Sequence, residues 1–124
     1  ILLAKDNDLN AEIAVTVLEE TGFVVERVVD GIQCVNKVEQ MSSGMYDLIL
    51  MDIQMPNMDG YQAARCIRHL NDKKKAEIPI IAMTANAFAE DRKRAFDAGM
   101  NGHIAKPIDI EKLEAAILSV LNER

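Results

Sequence analysis

Apolar positions along the chain fall into short continuous runs separated by longer stretches in which they recur every third or fourth residue. The runs at 1–4, 23–29, 48–51, 78–83 and Gly102–Ala105 predict β-strands, and a helical pattern follows each one. In the first helix Leu9, Ile13 and Val17 share the face expected to turn inward, Glu12, Thr16 and Glu20 look outward, and Gly22 is placed to end it. The second starts at Asp30 and packs through Val35 and Val38. Asp59 suits the N-cap of the third, whose Ala63, Ala64, Ile67 and Leu70 face inward before Asn71 and Asp72 break it. The fourth, over 87–98 and ended by Gly99, has only a thin apolar stripe of Phe88, Ala95 and Phe96 within a charged run, so it is expected to be the most loosely held. The fifth starts near Asp109 and packs through Ile110, Leu113, Ile117 and Leu121.

Strict strand and helix alternation with short connections predicts an α/β fold: parallel strands joined by right-handed crossovers, with helices on both faces. The first, third and fourth runs are apolar throughout, as strands covered on both sides must be. The second carries Glu26 and Arg27 and the fifth Gly102 and His103, which places these two at the edges. The order 2-1-3-4-5, a flavodoxin-like (βα)5 doubly wound sheet, satisfies both conditions. It puts the ligand crevice at the carboxyl ends of the first and third strands.

Composition narrows the function classes. With 14 Lys+Arg against 20 Asp+Glu, the net charge of −6 and the lack of a dominant basic stripe argue against binding nucleic acid or an anionic membrane, and leave open simple solubility or, more specifically, small cations. Residues 1–124 are expected to form a single domain, and the start inside an apolar run reads as a piece of a longer chain. No apolar run approaches the ~18 residues of a membrane span, so a cytoplasmic location is expected. Cys34 and Cys66 lack metal-ligand spacing and are expected to be reduced, inert thiols. The run Lys73-Lys74-Lys75 reads as a solvated loop, and the seven methionines as core filler and loop anchors.

The predicted rim gathers Lys5-Asp6-Asn7-Asp8 after the first strand, Asp52 at the end of the third, Thr84 at the end of the fourth, and Lys106-Pro107 after the fifth. Two carboxylates at 4 Å repel by about 4 kcal/mol at an effective dielectric near 20, so a cation is expected between them. Mg²⁺ accepts one or two carboxylates and bridges to phosphate oxygens. A hydroxyl and an ammonium across the same crevice suit a phosphoryl group. The rim therefore reads as a site for phosphoryl plus metal.

These residues resemble those of a known family, the receiver domains of two-component response regulators and hybrid histidine kinases. The stretch from Leu48 to Gly60, with Met51-Asp52-Ile53-Gln54-Met55-Pro56, is similar to the family's phosphoacceptor loop nearly residue for residue. Ile80-Ile81-Ala82-Met83-Thr84-Ala85 is similar to its fourth strand, and Lys106-Pro107 matches its rim lysine and the proline that follows. The resemblance covers essentially the whole chain. It implies that Asp52 takes a phosphoryl group from a phosphohistidine and that Asp6, Asp52 and the Gln54 backbone carbonyl hold Mg²⁺. It also implies that Thr84 and Lys106 contact the phosphoryl, that His103 is a switch residue, and that Gln54 and Asn86 modulate dephosphorylation. The implied partners are a histidine kinase or histidine phosphotransfer domain, together with an output domain or the rest of a hybrid kinase. The implied role is a phosphorylation-controlled switch with self-directed phosphotransfer and slow hydrolysis rather than a turnover enzyme.

One residue departs from the pattern. The family carries two adjacent acids after the first strand, and here Lys5 precedes Asp6. Its ammonium either turns to solvent along a flexible stem or pairs with Asp52 and partly replaces the metal; pairing would weaken Mg²⁺ binding. Lys5 is the feature that favours an alternative, a degenerate receiver that only binds a partner. A second alternative is a haloacid-dehalogenase-type phosphatase with Asp6 as nucleophile. It leaves the Asp52 loop unexplained and is short of a cap. A calcium loop at Asp6-Asn7-Asp8 fails because Ala11 and Val17 stand where Gly and an acid are needed. A flavin site fails because the first loop is acidic where a phosphate nest is required.

Overall fold

The apolar runs pair into one five-stranded parallel sheet of order β2-β1-β3-β4-β5, as expected from the strand compositions. The strands are β1 (Leu2–Ala4), β2 (Glu26–Val28), β3 (Ile49–Asp52), β4 (Ile80–Thr84) and β5 (Gly102–Ala105). The helices are α1 (Asp8–Glu20), α2 (Gly31–Gln40), α3 (Gly60–Arg68), the single turn α4 (Lys73–Ala76), α5 (Ala89–Asp97) and α6 (Ile110–Asn122). This computed structural model describes residues 1–42, 44–84, 89–105 and 109–122. Within that range it differs from expectation mainly at element ends. β4 begins after Pro79, which has no N–H to donate to a ladder and offers only its carbonyl, to the Ile49 N–H at 2.9 Å.

Side-chain alternation splits the sheet between two cores. Leu2, Ala4, Ile49, Met51, Ile80 and Ala82 face α2, α3 and α5. Leu3, Leu50, Ile81, Met83 and Ile104 face α1 and α6. Strands covered on both sides must be apolar at every position, which is why β1, β3 and β4 read as uninterrupted runs.

Three expectations about the helices are corrected. The inward face of α1 is Ala11, Ala14 and Leu18, while Leu9 and Ile13 are 67% and 56% exposed and Val17 is half-buried. Phe96 on α5 is 77% exposed, leaving Ala95 and the following Ala98 as the buried contacts of that segment; Phe88 lies outside the described residues. The Lys73-Lys74-Lys75 run forms the turn α4 rather than a loop, because the Asp72 carboxylate accepts the Lys74 and Lys75 N–H groups at 3.0 and 3.3 Å. Glycines end α1 and α5 as expected, Gly22 and Gly99 both adopting φ of +98°. Cys34 is buried and its thiol is pushed up to about 12, by burial first and then by Asp30, so it is an inert core residue.

Candidate functional site

Parallel register decides what meets at the carboxyl end of the sheet. Ala4 pairs with Met51, so Lys5 and Asp52 follow side by side in the pleat row of Leu3 and Leu50. Asp52 pairs with Met83, which sets Thr84 one step beyond it, and Thr84 pairs with Ala105, the last described residue of β5. Lys5, Asp52 and Thr84 are all buried, at 2%, 3% and 5% exposure. Of the two orientations open to Lys5, the structure takes the inward one, with its Nζ 3.4 Å from Asp52 Oδ2. An isolated buried charge of either sign costs several kcal/mol, so each group is tolerable because the other is there. Asp52 Oδ1 also accepts the Gln54 N–H at 3.4 Å.

The loops that carry these groups are held from outside. Lys5 donates its N–H to the Val28 carbonyl at 3.0 Å, and its own carbonyl accepts the Arg27 guanidinium at 2.8 and 3.0 Å. Arg27 also reaches the Asp6 carbonyl at 3.1 Å and Asp8 Oδ1 at 2.7 Å, strapping the β1–α1 loop to edge strand β2. The loop after Asp52 is gripped by the start of α2. Asp30 caps that helix by accepting the Gln33 N–H at 2.8 Å, and its second oxygen accepts Asn57 Nδ2 at 2.8 Å. Asn57 has φ of +67°, a left-handed conformation that Asn adopts more readily than most residues, and Gly31 donates its N–H to Met58 at 3.1 Å. Asp59 caps α3 as expected, accepting the Gln62 N–H at 2.9 Å.

Asp6 is exposed on the rim and lines an open cleft of about 600 Å³ with Gln54, Met55, Asp59, Tyr61 and Arg94, whose guanidinium lies 4.5 Å from the Tyr61 ring centre. His103 pairs with Ala82 on the α5 side of β5, half-covered, beside Arg92, Lys93 and Phe96. Its imidazole is held below its ordinary value, by burial first and then by Arg92. Lys106, its following Pro107, and Asn86 lie outside the described residues.

Asp6, Asp52 and the Gln54 carbonyl are oxygen donors of the kind Mg²⁺ takes. As arranged, however, they do not fit a divalent ion, because the Lys5 ammonium already sits on Asp52 Oδ2. Among the described residues no cluster of three or more His, Cys, Asp or Glu side chains is disposed to hold a metal.

Sequence reasoning missed the Arg27 strap, the Asp30 to Asn57 clasp, and the exposed Leu9 and Ile13 on the first two turns of α1 beside the rim. Arg27 was open to detection, since its register opposite Leu3 puts a long cation within reach of the residues that follow β1.

The comparisons with known proteins agree with this geometry. The model for the response regulator receiver domain matches residues 1–118. The chain is 42% identical over 120 residues to hybrid signal transduction histidine kinase L of Dictyostelium discoideum, covering 94% of this chain and 7% of that protein. It is 40% identical over 125 residues to the peroxide stress-activated histidine kinase mak1 of Schizosaccharomyces pombe, covering 98% of this chain and 8% of that one. It therefore spans less than a tenth of these relatives' length. The receiver domain of the sensor histidine kinase PA1611 of Pseudomonas aeruginosa, solved with a magnesium ion in its active-site cleft, superposes with a TM-score of 0.86 at 39% identity, covering 98% of this chain and 95% of that one. Strand order, the Asp52 loop and relatives matched along nearly the whole chain lead to one conclusion: the chain belongs to the response regulator receiver domain family.

Proposed function

We propose that Asp52 is the phosphoacceptor of a two-component phosphorelay and that its modification switches the face formed by α5, β5 and α6. The observation that carries this reading is the buried Asp52 carboxylate at the end of β3, held beside a cation at the topological switch point of the sheet. The donor is a phosphohistidine on a histidine kinase or histidine phosphotransfer domain, as the names of the relatives suggest. An Asp52 oxygen bonds to phosphorus while the P–N bond breaks, its electron pair staying on the imidazole. Burial beside an ammonium offsets charge that gathers on the phosphoryl oxygens. Thr84, Lys106 and His103 are assigned the phosphoryl-binding and switch roles, Asp6 and Gln54 the rim, and Gln54 and Asn86 control of hydrolysis. The exposed Leu9 and Ile13, on the helix that follows the rim loop, offer the donor an apolar seat. The rest of a hybrid kinase, or an output domain, reads the switched face. We assign the domain a cytoplasmic site of action; among the described residues no helix is long and apolar enough to cross a membrane.

Incubation with acetyl phosphate or a phosphorylated kinase, followed by borohydride trapping and mass mapping, tests the assignment. The expected outcome is a single modification at Asp52, absent from Asp52→Asn. Steady phosphate release that depends on Asp6 would instead support the phosphatase. The buried Lys5–Asp52 pair favours one second reading, a receiver that binds its partner unmodified, and complete absence of label at Asp52 would support it.

A further inference from the structure

From the Lys5–Asp52 pair we infer that this receiver carries its site cation as part of its own chain, and that Lys5 thereby makes Asp52 insensitive to Mg²⁺. The inference deepens the reading of Asp52 as phosphoacceptor and rests on it for its meaning, although its binding test does not. Three observations converge. The ammonium lies 3.4 Å from Asp52 Oδ2 with both side chains almost fully buried, so it occupies space on the carboxylate that a divalent ion would need. The backbone of Lys5 is fixed on both sides, its N–H by Val28 and its carbonyl by Arg27, so its stem starts from a fixed place beside Asp52. The carboxylate nearest in sequence, on Asp6, is exposed rather than stacked against Asp52.

A divalent ion arriving at Asp52 therefore meets two penalties. It sits against a like charge within a few ångströms in a poorly hydrated crevice, and it competes for an oxygen already paired. If it expelled the ammonium from Asp52, a buried lysine would lose the carboxylate it is paired with and would have to turn its stem out to water. A tethered cation also has no binding equilibrium with the solution, so it compensates Asp52 at every metal concentration. An arginine at position 5 preserves that charge, whereas a glutamate both removes it and adds a second acid beside Asp6.

The test is calorimetric titration with Mg²⁺ alone, paired with thermal melts in the absence and presence of Mg²⁺, on the wild-type domain, Lys5→Glu, Lys5→Gln and Lys5→Arg. Wild type and Lys5→Arg are expected to bind Mg²⁺ at least about ten-fold more weakly than Lys5→Glu, the step that corresponds to about 1.4 kcal/mol. Added Mg²⁺ should raise the melting temperature of Lys5→Glu and leave that of the wild type in place, because an ion stabilises a fold only when it binds it. Equal Mg²⁺ affinity in wild type and Lys5→Glu overturns the inference. Should Lys5→Glu fail to fold, as judged by circular dichroism, Lys5→Gln takes its place with the same expected order and the same overturning result. Borohydride trapping on the same proteins keeps the two readings apart. Absence of label at Asp52 with the affinity order intact sinks the phosphoacceptor and leaves the resident cation standing, while label at Asp52 with equal affinities does the reverse.

Discussion

Gly60 and Gly31 show how closely the Asp52 loop is packed by the helices around it. Each is the first residue of its helix, and neither has a positive φ, so the requirement is for space. A β-carbon on Gly60 would lie 2.5 Å from the Asp52 carbonyl and 3.0 Å from the Ile53 Cα, and one on Gly31 would lie 2.4 Å from the Met58 carbonyl. The obstacle in both cases is backbone, which yields only by shifting the loop. Gly60→Ala is therefore expected to destabilise the fold by about 1–3 kcal/mol in urea unfolding, in the range of overpacking a tight site. Gln62→Ala, exposed two residues later on the same helix, should stay within about 0.5 kcal/mol and serves as the control. A neutral Gly60→Ala would mean that the loop is free to move, and with it the positioning of Asp52.

Among the elements, edge strand β2 is tied down by charge rather than by a second neighbouring strand. The Tyr46 hydroxyl donates to Glu26, and Lys37 Nζ from α2 lies 3.0 Å from the other Glu26 oxygen. These contacts hold the Glu26 carboxyl below its ordinary 4.5, the Tyr46 bond first and Lys37 after it, against a smaller opposing effect of burial; the same bond, after burial, pushes the Tyr46 hydroxyl up. A depressed carboxyl contributes stability that is complete above its unfolded pKa and is lost as pH falls through the folded value. Tyr46→Phe removes the larger cause, so its stability should decline less steeply than that of wild type between about pH 5 and pH 3 in urea titrations. Parallel curves would refute the coupling. The strands that carry this sheet were legible because burial on both faces leaves a continuous apolar run. The faces of the helices were less so. In α1 two stripes share helical spacing, Leu9-Ile13-Val17 and Ala11-Ala14-Leu18, and periodicity favours the larger side chains. Close approach to the sheet selects the small ones, Ala11 and Ala14, and that choice is made by tertiary packing. Lys5 was undecided for the same reason: its register beside Asp52 follows from topology, but the inward turn of its stem onto Asp52 Oδ2 is a matter of the tertiary surroundings that bury it.

Across the whole molecule, holding strength falls from the centre of the sheet toward α5, and that gradient is what a switch requires. β3 and β4 are buried at every described position and are paired on both sides. α5 packs beside an edge strand, buries Ala95 with Ala98 just beyond its end, and exposes its large apolar residue, Phe96. Its C-terminal end is pinned, since the Arg68 guanidinium donates to the Gly99 carbonyl at 2.8 Å and to Asn101 at 2.8 Å. Small alanine contacts over its described C-terminal half suit α5 to the proposed role of an element that shifts while the sheet beneath it stays closed. Native-state hydrogen exchange should accordingly rank the amides of β3 and β4 slowest, opening only with global unfolding. Those of α5 should be protected at least about ten-fold less, and less than those of α1 and α6. Arg68→Lys, which gives up the fork reaching Gly99 and Asn101 along with the bonds to the Ala76 and Ile78 carbonyls, should lower protection in α5 and β5 more than in β1. Exchange from α5 at the same free energy as from β3 would mean that the domain opens as one piece, and the proposed modification of Asp52 would then have no softer element to move.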